Sequence, residues 1–188
     1  NPLAFHLDVD MNQRSNARNL SYNNAIWFLH LDWLPVGSLR LSGSFIMDEI
    51  QLDQEDRDEG RPDALGWLGR VAWSIGTKDM GFTFFINYNR IGTYTMQYQN
   101  RGYLNFVTRD QLLGHPLGND AESVYFGMRI TSSYLPVLLE LDYGRIRWGS
   151  NSIRLDSYQP YEQFIAVPFP SGEVSSNQYL SAKLSSQL

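Results

Sequence analysis

The sequence predicts an all-β protein and, within that class, an antiparallel up-and-down transmembrane β-barrel. Three observations predict this fold: apolar and polar residues alternate along many segments, the links between segments alternate in length, and Trp and Tyr lie near segment ends. The links are short at 34–37, 77–80 and 132–136, and long over about 11–24, 51–63, 99–120 and 148–161. Outer-membrane barrels combine short periplasmic turns with longer extracellular loops, so the link lengths favour this fold.

The first three predicted strands are residues 2–10, 25–33 and 38–48. Each alternates with a period of two, which is the strand signature. Polar residues such as His30 and Asp32 occupy the intervening positions. The apolar faces comprise Leu3, Phe5, Leu7 and Val9, then Trp27, Leu29, Leu31 and Trp33, then Leu39, Leu41, Phe45 and Met47.

The next four predicted strands are residues 64–77, 81–89, 122–131 and 137–147. Their apolar faces comprise Leu65, Trp67, Val71, Trp73 and Ile75, then Phe82, Phe84, Ile86 and Tyr88, then Val124, Phe126, Met128 and Ile130, then Val137, Leu139, Leu141 and Tyr143. Residues 93–99 are expected to continue the strand before them past a bulge at Gly92. Weaker alternation predicts two further strands, 162–169 and 177–185, and no helical period of useful length occurs.

The direction in which the apolar face points separates a membrane barrel from a soluble β-sandwich, whose apolar face points inward. Segments 38–50 and 64–77 exceed the usual strand length of about 5–6 residues and suit a tilted membrane crossing of about 9–11. Trp and Tyr prefer the lipid–water interface, and the aromatics near strand ends include Trp27, Trp33, Tyr88, Tyr143 and Trp148. We expect an outward apolar face, with the soluble sandwich as the alternative.

Composition excludes several classes of function. The 188 residues, treated as one domain over 1–188, carry 20 acidic and 15 basic residues without a Lys/Arg-rich block, so nucleic acid is not an expected partner. Cysteine is absent, which removes disulfides and thiolate metal sites and fits an exported protein. The chain starts at Asn1 without an apolar signal segment, which predicts a mature or truncated product.

The polar face carries charges at mid-strand, which a solvated lumen tolerates. These lumen charges are Arg40, Arg70, Arg129, Glu140 and Asp142. Glu140 and Asp142 share one strand face, as a glycosidase pair does, but charge balancing beside arginine explains them equally well. No phosphate-binding loop or nucleophile elbow occurs, so neither an enzyme nor a cofactor is expected.

The stretch from Asp48 to Asp63 holds eight carboxylates, and a divalent-cation site is one interpretation of it, since hard cations bind several oxygen ligands. Its spacing does not match a calcium loop of the EF-hand type. None of the three histidines shows the spacing of a helical zinc site. The acidic stretch is therefore interpreted as a solvated loop, and no metal is expected.

Loop tyrosines are candidate glycan contacts, because an aromatic ring offers a sugar an apolar platform beside hydrogen-bonding groups. They lie among Asn, Gln and Arg in or beside the long links. Packing of the loops against one another is the other explanation of these side chains. The candidates are Tyr22, Tyr98, Tyr103, Tyr158 and Tyr161.

Two stretches resemble segments of the capsule-assembly Wzi family of outer-membrane β-barrels. One runs from Ser44-Phe45-Ile46-Met47-Asp48-Glu49 to Asp53 and on to Arg61-Pro62-Asp63-Ala64-Leu65-Gly66; the other is Asn105-Phe106-Val107 through Leu113-Gly114-His115-Pro116-Leu117-Gly118-Asn119-Asp120-Ala121-Glu122. The resemblance implies a portion of a larger barrel in the bacterial outer membrane that retains capsular or related polysaccharide. The alternatives are a diffusion channel for small solutes and a soluble carbohydrate-binding sandwich.

Overall fold

A computed structural model describes residues 3–11, 25–52, 54–97, 107–108, 111–112, 116–153 and 165–186. Most of them form long strands, with one short helix and one small ribbon. The elements are β1 (Leu3–Met11), β2 (Ala25–Val36), β3 (Leu39–Glu49), α1 (Gln54–Asp58), β4 (Ala64–Gly76), β5 (Met80–Ile91), β6 (Val107–Thr108), β7 (Gln111–Leu112), β8 (Ala121–Ser132), β9 (Val137–Trp148) and β10 (Ser175–Ser186).

Eight strands form one antiparallel up-and-down sheet in the order β1-β2-β3-β4-β5-β8-β9-β10. Each strand pairs with its neighbour along the chain, except where the β6–β7 ribbon lies between β5 and β8. Within the described residues the sheet is not closed, since β1 pairs only with β2 and β10 only with β9. The predicted all-β, antiparallel up-and-down arrangement is thus confirmed.

The links between the strands alternate in length as predicted. Residues 37–38, 77–79 and 133–136 are the short links, and 12–24, 50–63, 92–120 and 149–174 are the long ones. Because successive strands are antiparallel, all short links lie at one end of the sheet, the short-turn end. All long links lie at the other, the long-loop end.

Two predicted strands are wrong where the structure describes them. Residues 93–96 form a turn, in which Thr95 N–H donates to Gly92 O at 3.2 Å and Met96 has a φ of 67°. This left-handed residue reverses the chain instead of extending β5 past a bulge. Residues 165–169 are irregular, so alternation there reflects a loop. Residues 98–99 and 162–164 lie outside the described part.

The two faces of the sheet differ in what they expose. The apolar face, formed by the predicted apolar positions of the strands, is open: its most exposed large side chains have 37–81% of their surface accessible. They are Trp27, Leu31, Trp33, Trp67, Val71, Trp73, Ile75, Phe84, Ile86, Tyr88, Val124, Phe126, Tyr143, Leu180 and Leu184. Trp148 was expected on this face, but by strand parity it shares the other with Glu140 and Asp142.

The core lies on the polar face, at the long-loop end. There Ile26, Ile46 and Ile91 meet Met96 and Ile153 from the loops, each no more than 3% exposed. Phe28 and Leu68 pack against this cluster. The sheet thus carries its buried residues on the face whose middle is charged, and exposes the face that is most apolar.

Candidate functional site

The five predicted lumen charges all lie on the polar face. Arg40 pairs in register with Ala72, and that row crosses the sheet through Phe85 and Gly127 to Asp142. The next row toward the short-turn end places Arg129 opposite Glu140. The sequence pattern therefore identified a set of charges that the sheet brings together.

Two of the three arginines in this set are paired with carboxylates. Arg40 donates from Nε and Nη2 to the two carboxylate oxygens of Asp32, at 2.8 and 2.5 Å. Arg129 Nε lies 2.8 Å from Glu140 Oε1. Sequence reasoning did not assign Asp32 this role, although its position on the same face as Arg40 was evident from the alternation.

The Phe85 ring contacts both Arg129 and Arg70, the arginine of this set without a carboxylate partner. The guanidinium carbon of Arg70 is 4.6 Å from the centre of the Phe85 ring, and that of Arg129 is 5.4 Å away. Tyr125 meets the same ring edge-on, with centroids 6.5 Å apart. Cation–π contact holds both guanidinium groups over a buried ring. Sequence reasoning missed Phe85, whose signal was an aromatic residue at a polar-face position.

Two adjoining cavities open on this face, of about 540 and 150 Å³. The larger reaches the β2–β3 turn at Gly37 and Ser38, so it lies toward the short-turn end. Both are lined by Ser42 and Arg70. The larger is lined by Leu34, Gly37, Ser38, Leu39, Arg40, Ser42, Arg70, Ala72, Ser74, Thr83 and Arg129; the smaller by His30, Ser42, Gly43, Ser44, Leu68, Gly69, Arg70, Asn87 and Asn89.

Arg70 and Asn87 are neighbours in register and both have unused donors. Arg70 makes no salt bridge with any described carboxylate. Asn87 is 5% exposed, and its Nδ2 has no hydrogen-bond partner among the described residues. A buried donor without an acceptor costs about 1–3 kcal/mol. The pair thus presents donors that lack an acceptor at the smaller cavity.

The long links form a loop layer at the long-loop end, comprising residues 92–97, 118–120, 149–153 and 169–171. Its centre is the Asp120 carboxylate, which is fully buried. Asp120 accepts from Thr93 Oγ1 at 2.7 Å, from Asn151 N at 3.2 Å, and from the Ser171 N–H and hydroxyl at 2.8 and 2.5 Å. One side chain thereby joins two of the long links, 92–120 and 149–174.

Asn119 extends the same network. Its Nδ2 donates to the Thr93 carbonyl and, at 2.7 Å, to Asn151 Oδ1, while its Oδ1 accepts from Ile153 N at 2.7 Å. Gln97 Nε2 also donates to Asn151 Oδ1, at 2.7 Å. These bonds satisfy the backbone groups that a buried loop leaves without partners.

The acidic stretch contributes to the same layer. Asp48 Oδ2 accepts from Met96 N at 2.6 Å, and Asp63 Oδ1 accepts from Gln51 N at 2.8 Å. Arg57 Nε donates to Gln51 O at 2.8 Å. No group of three or more acidic or histidine side chains within the described ranges is placed to hold a metal ion. Asp48 and Asp63 therefore order the loops around them.

The five tyrosines predicted to contact glycan, Tyr22, Tyr98, Tyr103, Tyr158 and Tyr161, lie outside the described residues. Tyr94, which is described, donates its hydroxyl to Ile165 O at 3.1 Å. Burial, with the Asp120 carboxylate, raises the pKa of its phenol. This tyrosine therefore joins two loops.

Comparison with known proteins identifies no relative: no family model, no curated protein and no solved structure matches the chain. Among the described residues, no helix has the length and apolar character needed to span a membrane.

Proposed function

We propose that the sheet is part of the wall of a bacterial outer-membrane β-barrel and that the barrel is a non-catalytic binder of capsular or other surface polysaccharide. The single observation that carries the membrane assignment is the open apolar face, whose described aromatic and aliphatic side chains extend across the sheet from β2 to β10. Contiguous exposed apolar surface of this kind marks contact with a lipid phase or another apolar partner. Lipid is the partner that also explains where the apolar face ends on each strand and why tyrosines lie at that limit.

The long-loop limit of the apolar face crosses the sheet diagonally. On β2 the limit is at Trp27. On β5 the limit is Tyr88, whose row across the sheet meets β2 at Leu31. On β9 the limit is Tyr143, whose row meets β2 at Trp33. The limit thus moves by roughly one residue per strand. When strands are tilted by about 40° and spaced about 4.8 Å apart, two residues in register on neighbouring strands differ in height above the membrane plane by about 3 Å. A shift of about 1.2 residues along the strand brings a residue back to the same height. A band of constant height on a tilted barrel wall has this slope.

The tyrosines at this limit point their hydroxyl groups toward polar partners. Tyr143 donates to Gln178 Oε1 at 3.0 Å, and the Tyr88 hydroxyl lies 3.5 Å from Glu122 Oε2. Glu122 is itself bound to Arg147 at 2.6 Å. Rings inside the band with hydroxyls at its polar border match the preference of tyrosine for the lipid–water interface.

The loop layer favours a binding barrel over a diffusion channel. Met96 and Ile153 fill the polar face at the long-loop end, so solute passage along these strands would have to displace a packed core. We therefore expect planar bilayers containing the purified protein to show no steady conductance. Stable single-channel currents would favour the channel.

Heat-modifiability of the detergent-extracted full-length protein tests the membrane assignment. A closed barrel pairs all its backbone groups around the ring and resists SDS, so unboiled and boiled samples should migrate differently. Recovery in the aqueous fraction without detergent, with no mobility shift, would contradict the assignment and favour the soluble sandwich.

Polysaccharide binding is tested separately, on cells that produce the barrel. Alanine at the five loop tyrosines should release surface polysaccharide into the medium while the heat-dependent shift persists. Unchanged retention would contradict the role of the tyrosines. The resemblance to the Wzi family supports this part of the proposal.

A further inference from the structure

We propose that Arg70 and Asn87 form a binding site for one carboxylate or sulfate ester carried by a small hydroxyl-rich molecule. The site lies at the junction of the two cavities on the polar face, because Arg70 lines both and Asn87 lines the smaller. The site itself does not depend on the membrane assignment; only the placement of its opening on the periplasmic side rests on the proposed function.

The charges of the polar face favour a singly charged ligand. The basic side chains of this face on β2–β10 are Arg40, Arg70, Arg129 and Lys183, and the acidic ones are Asp32, Asp48, Glu140 and Asp142. Arg40 and Arg129 have carboxylate partners, whereas Arg70 makes no salt bridge with a described carboxylate, so one negative charge on a ligand would match the charge of Arg70. A phosphate monoester carries about 1.5–2 negative charges at neutral pH, whereas a carboxylate or sulfate ester carries one.

Two hydrogen-bond donors that lack an acceptor, the Arg70 guanidinium and Asn87 Nδ2, lie together at the site. The Arg70 guanidinium can bind two oxygens of one anion through parallel hydrogen bonds. Asn87 Nδ2, which is buried without a partner, is the independent observation that points to an acceptor from outside the described chain. Contact with Phe85 restrains Arg70, so less entropy is lost when an anion binds.

The surrounding side chains suit hydroxyl groups. His30 and Ser44 share a hydrogen bond of 2.9 Å, and Asn89 donates to Ser123 at 3.1 Å, which leaves lone pairs and protons for a ligand. The larger cavity, at about 540 Å³, is within the range of small-molecule sites. Ile46, Ile91 and the loop layer fill the long-loop end, whereas the larger cavity reaches the β2–β3 turn, where we expect the ligand to enter.

Ligand-observed saturation-transfer NMR on the full-length protein in detergent micelles tests this site. Sodium glucuronate and glucose 6-sulfate are the probes, with glucose as the neutral counterpart. We expect saturation transfer to at least one anionic probe and none to glucose. Absence of transfer to both anions, or equal transfer to glucose, would overturn the proposal.

Two variants locate the binding. Arg70→Gln should weaken anion binding by about ten- to a hundredfold, since hydrogen bonds to a charged group are lost. Asn87→Asp keeps the shape but places a negative charge at the site, and should abolish binding. Lys78→Gln, which removes an exposed positive charge from the β4–β5 turn, is the matched control and should bind as the unmodified protein does.

Anion affinity that is equal in Arg70→Gln and the unmodified protein would overturn the site. The heat-dependent mobility shift reports whether each variant is folded. If neither the unmodified protein nor the variants show that shift, yet the anion still binds in an Arg70-dependent way, the membrane assignment fails and the site stands.

Discussion

Ser171 donates both its backbone N–H, at 2.8 Å, and its hydroxyl, at 2.5 Å, to the buried carboxylate of Asp120. Together with bonds from Thr93 and Asn151, this contact joins segments far apart in sequence into one loop layer. A buried carboxylate with this many donors is stable only while all of them are in place. The loop layer is therefore expected to respond to a single change at Asp120.

Asp120→Asn should lower the free energy of unfolding by about 2 kcal/mol or more. The amide keeps the shape of the side chain, but its NH₂ group then faces donors that need an acceptor. Urea unfolding of the purified protein measures the loss. Asp79→Asn, in an exposed turn, should change it by no more than about 0.5 kcal/mol; equal effects of the two changes would contradict the role of Asp120.

Phe126→Arg separates the membrane barrel from a soluble sheet. Phe126 is 54% exposed on the apolar face, in register with Tyr143 on the neighbouring strand. Arginine on the lipid-facing side of a barrel strand costs up to about 2–4 kcal/mol, the most at the bilayer midplane, so the fraction of protein that inserts into lipid vesicles and shows a heat-dependent shift should fall.

The matched control is Tyr134→Arg, in the β8–β9 turn and 75% exposed. It should insert as the unmodified protein does. If arginine at position 126 is as well tolerated as at this turn, the apolar face does not contact lipid.

Gly127→Ala should destabilise the sheet by about 1–3 kcal/mol through overpacking. An added Cβ would clash with Asp142 Oδ1 and lie 2.5 Å from Phe85 Cζ, so the ring that contacts Arg70 and Arg129 would have to move. Gly37→Ala, where a Cβ meets nothing within 4 Å, is the control. Denaturant midpoints measure both, and a tolerated alanine at 127 would show that the ring is loosely held.

Tyr94→Phe should lower stability by about 1 kcal/mol near pH 8, because the hydrogen bond to Ile165 O is lost. The folded-state pKa of Tyr94 is raised above its ordinary value of 10.0, so the neutral phenol favours folding below that pH. The advantage is lost as pH rises through the folded-state pKa. The difference between the unmodified protein and the variant should therefore shrink above pH 10, and a constant difference would contradict the assignment.

The strands were predictable because their signal is local. A period of two repeats within each strand, as along Trp27 to Trp33, and hairpin connectivity then follows from the short links. The loop layer was not predictable, since the partners of Asp120 come from three distant segments whose spacing carries no period. A strand was wrongly predicted at residues 93–97 because apolar and polar residues alternate there, whereas the chain turns back at Met96.

The candidate site was predictable in part. Arg40, Arg70 and Arg129 were placed on one face by parity alone, and the sheet brings them together. The unpartnered Nδ2 of Asn87 was not foreseeable, because it depends on the burial and neighbours that only the assembled sheet defines.

Nitroxide labels on adjacent residues of β8 test the membrane wall most directly. The chain has no native cysteine, so Phe126→Cys and Tyr125→Cys each provide a single labelling position, on opposite faces of the sheet. In lipid vesicles, the label at 126 should collide with dissolved oxygen and be shielded from a water-soluble nickel complex, and the label at 125 should not show this lipid pattern. Access of the nickel complex to position 126 would contradict a lipid-facing apolar face.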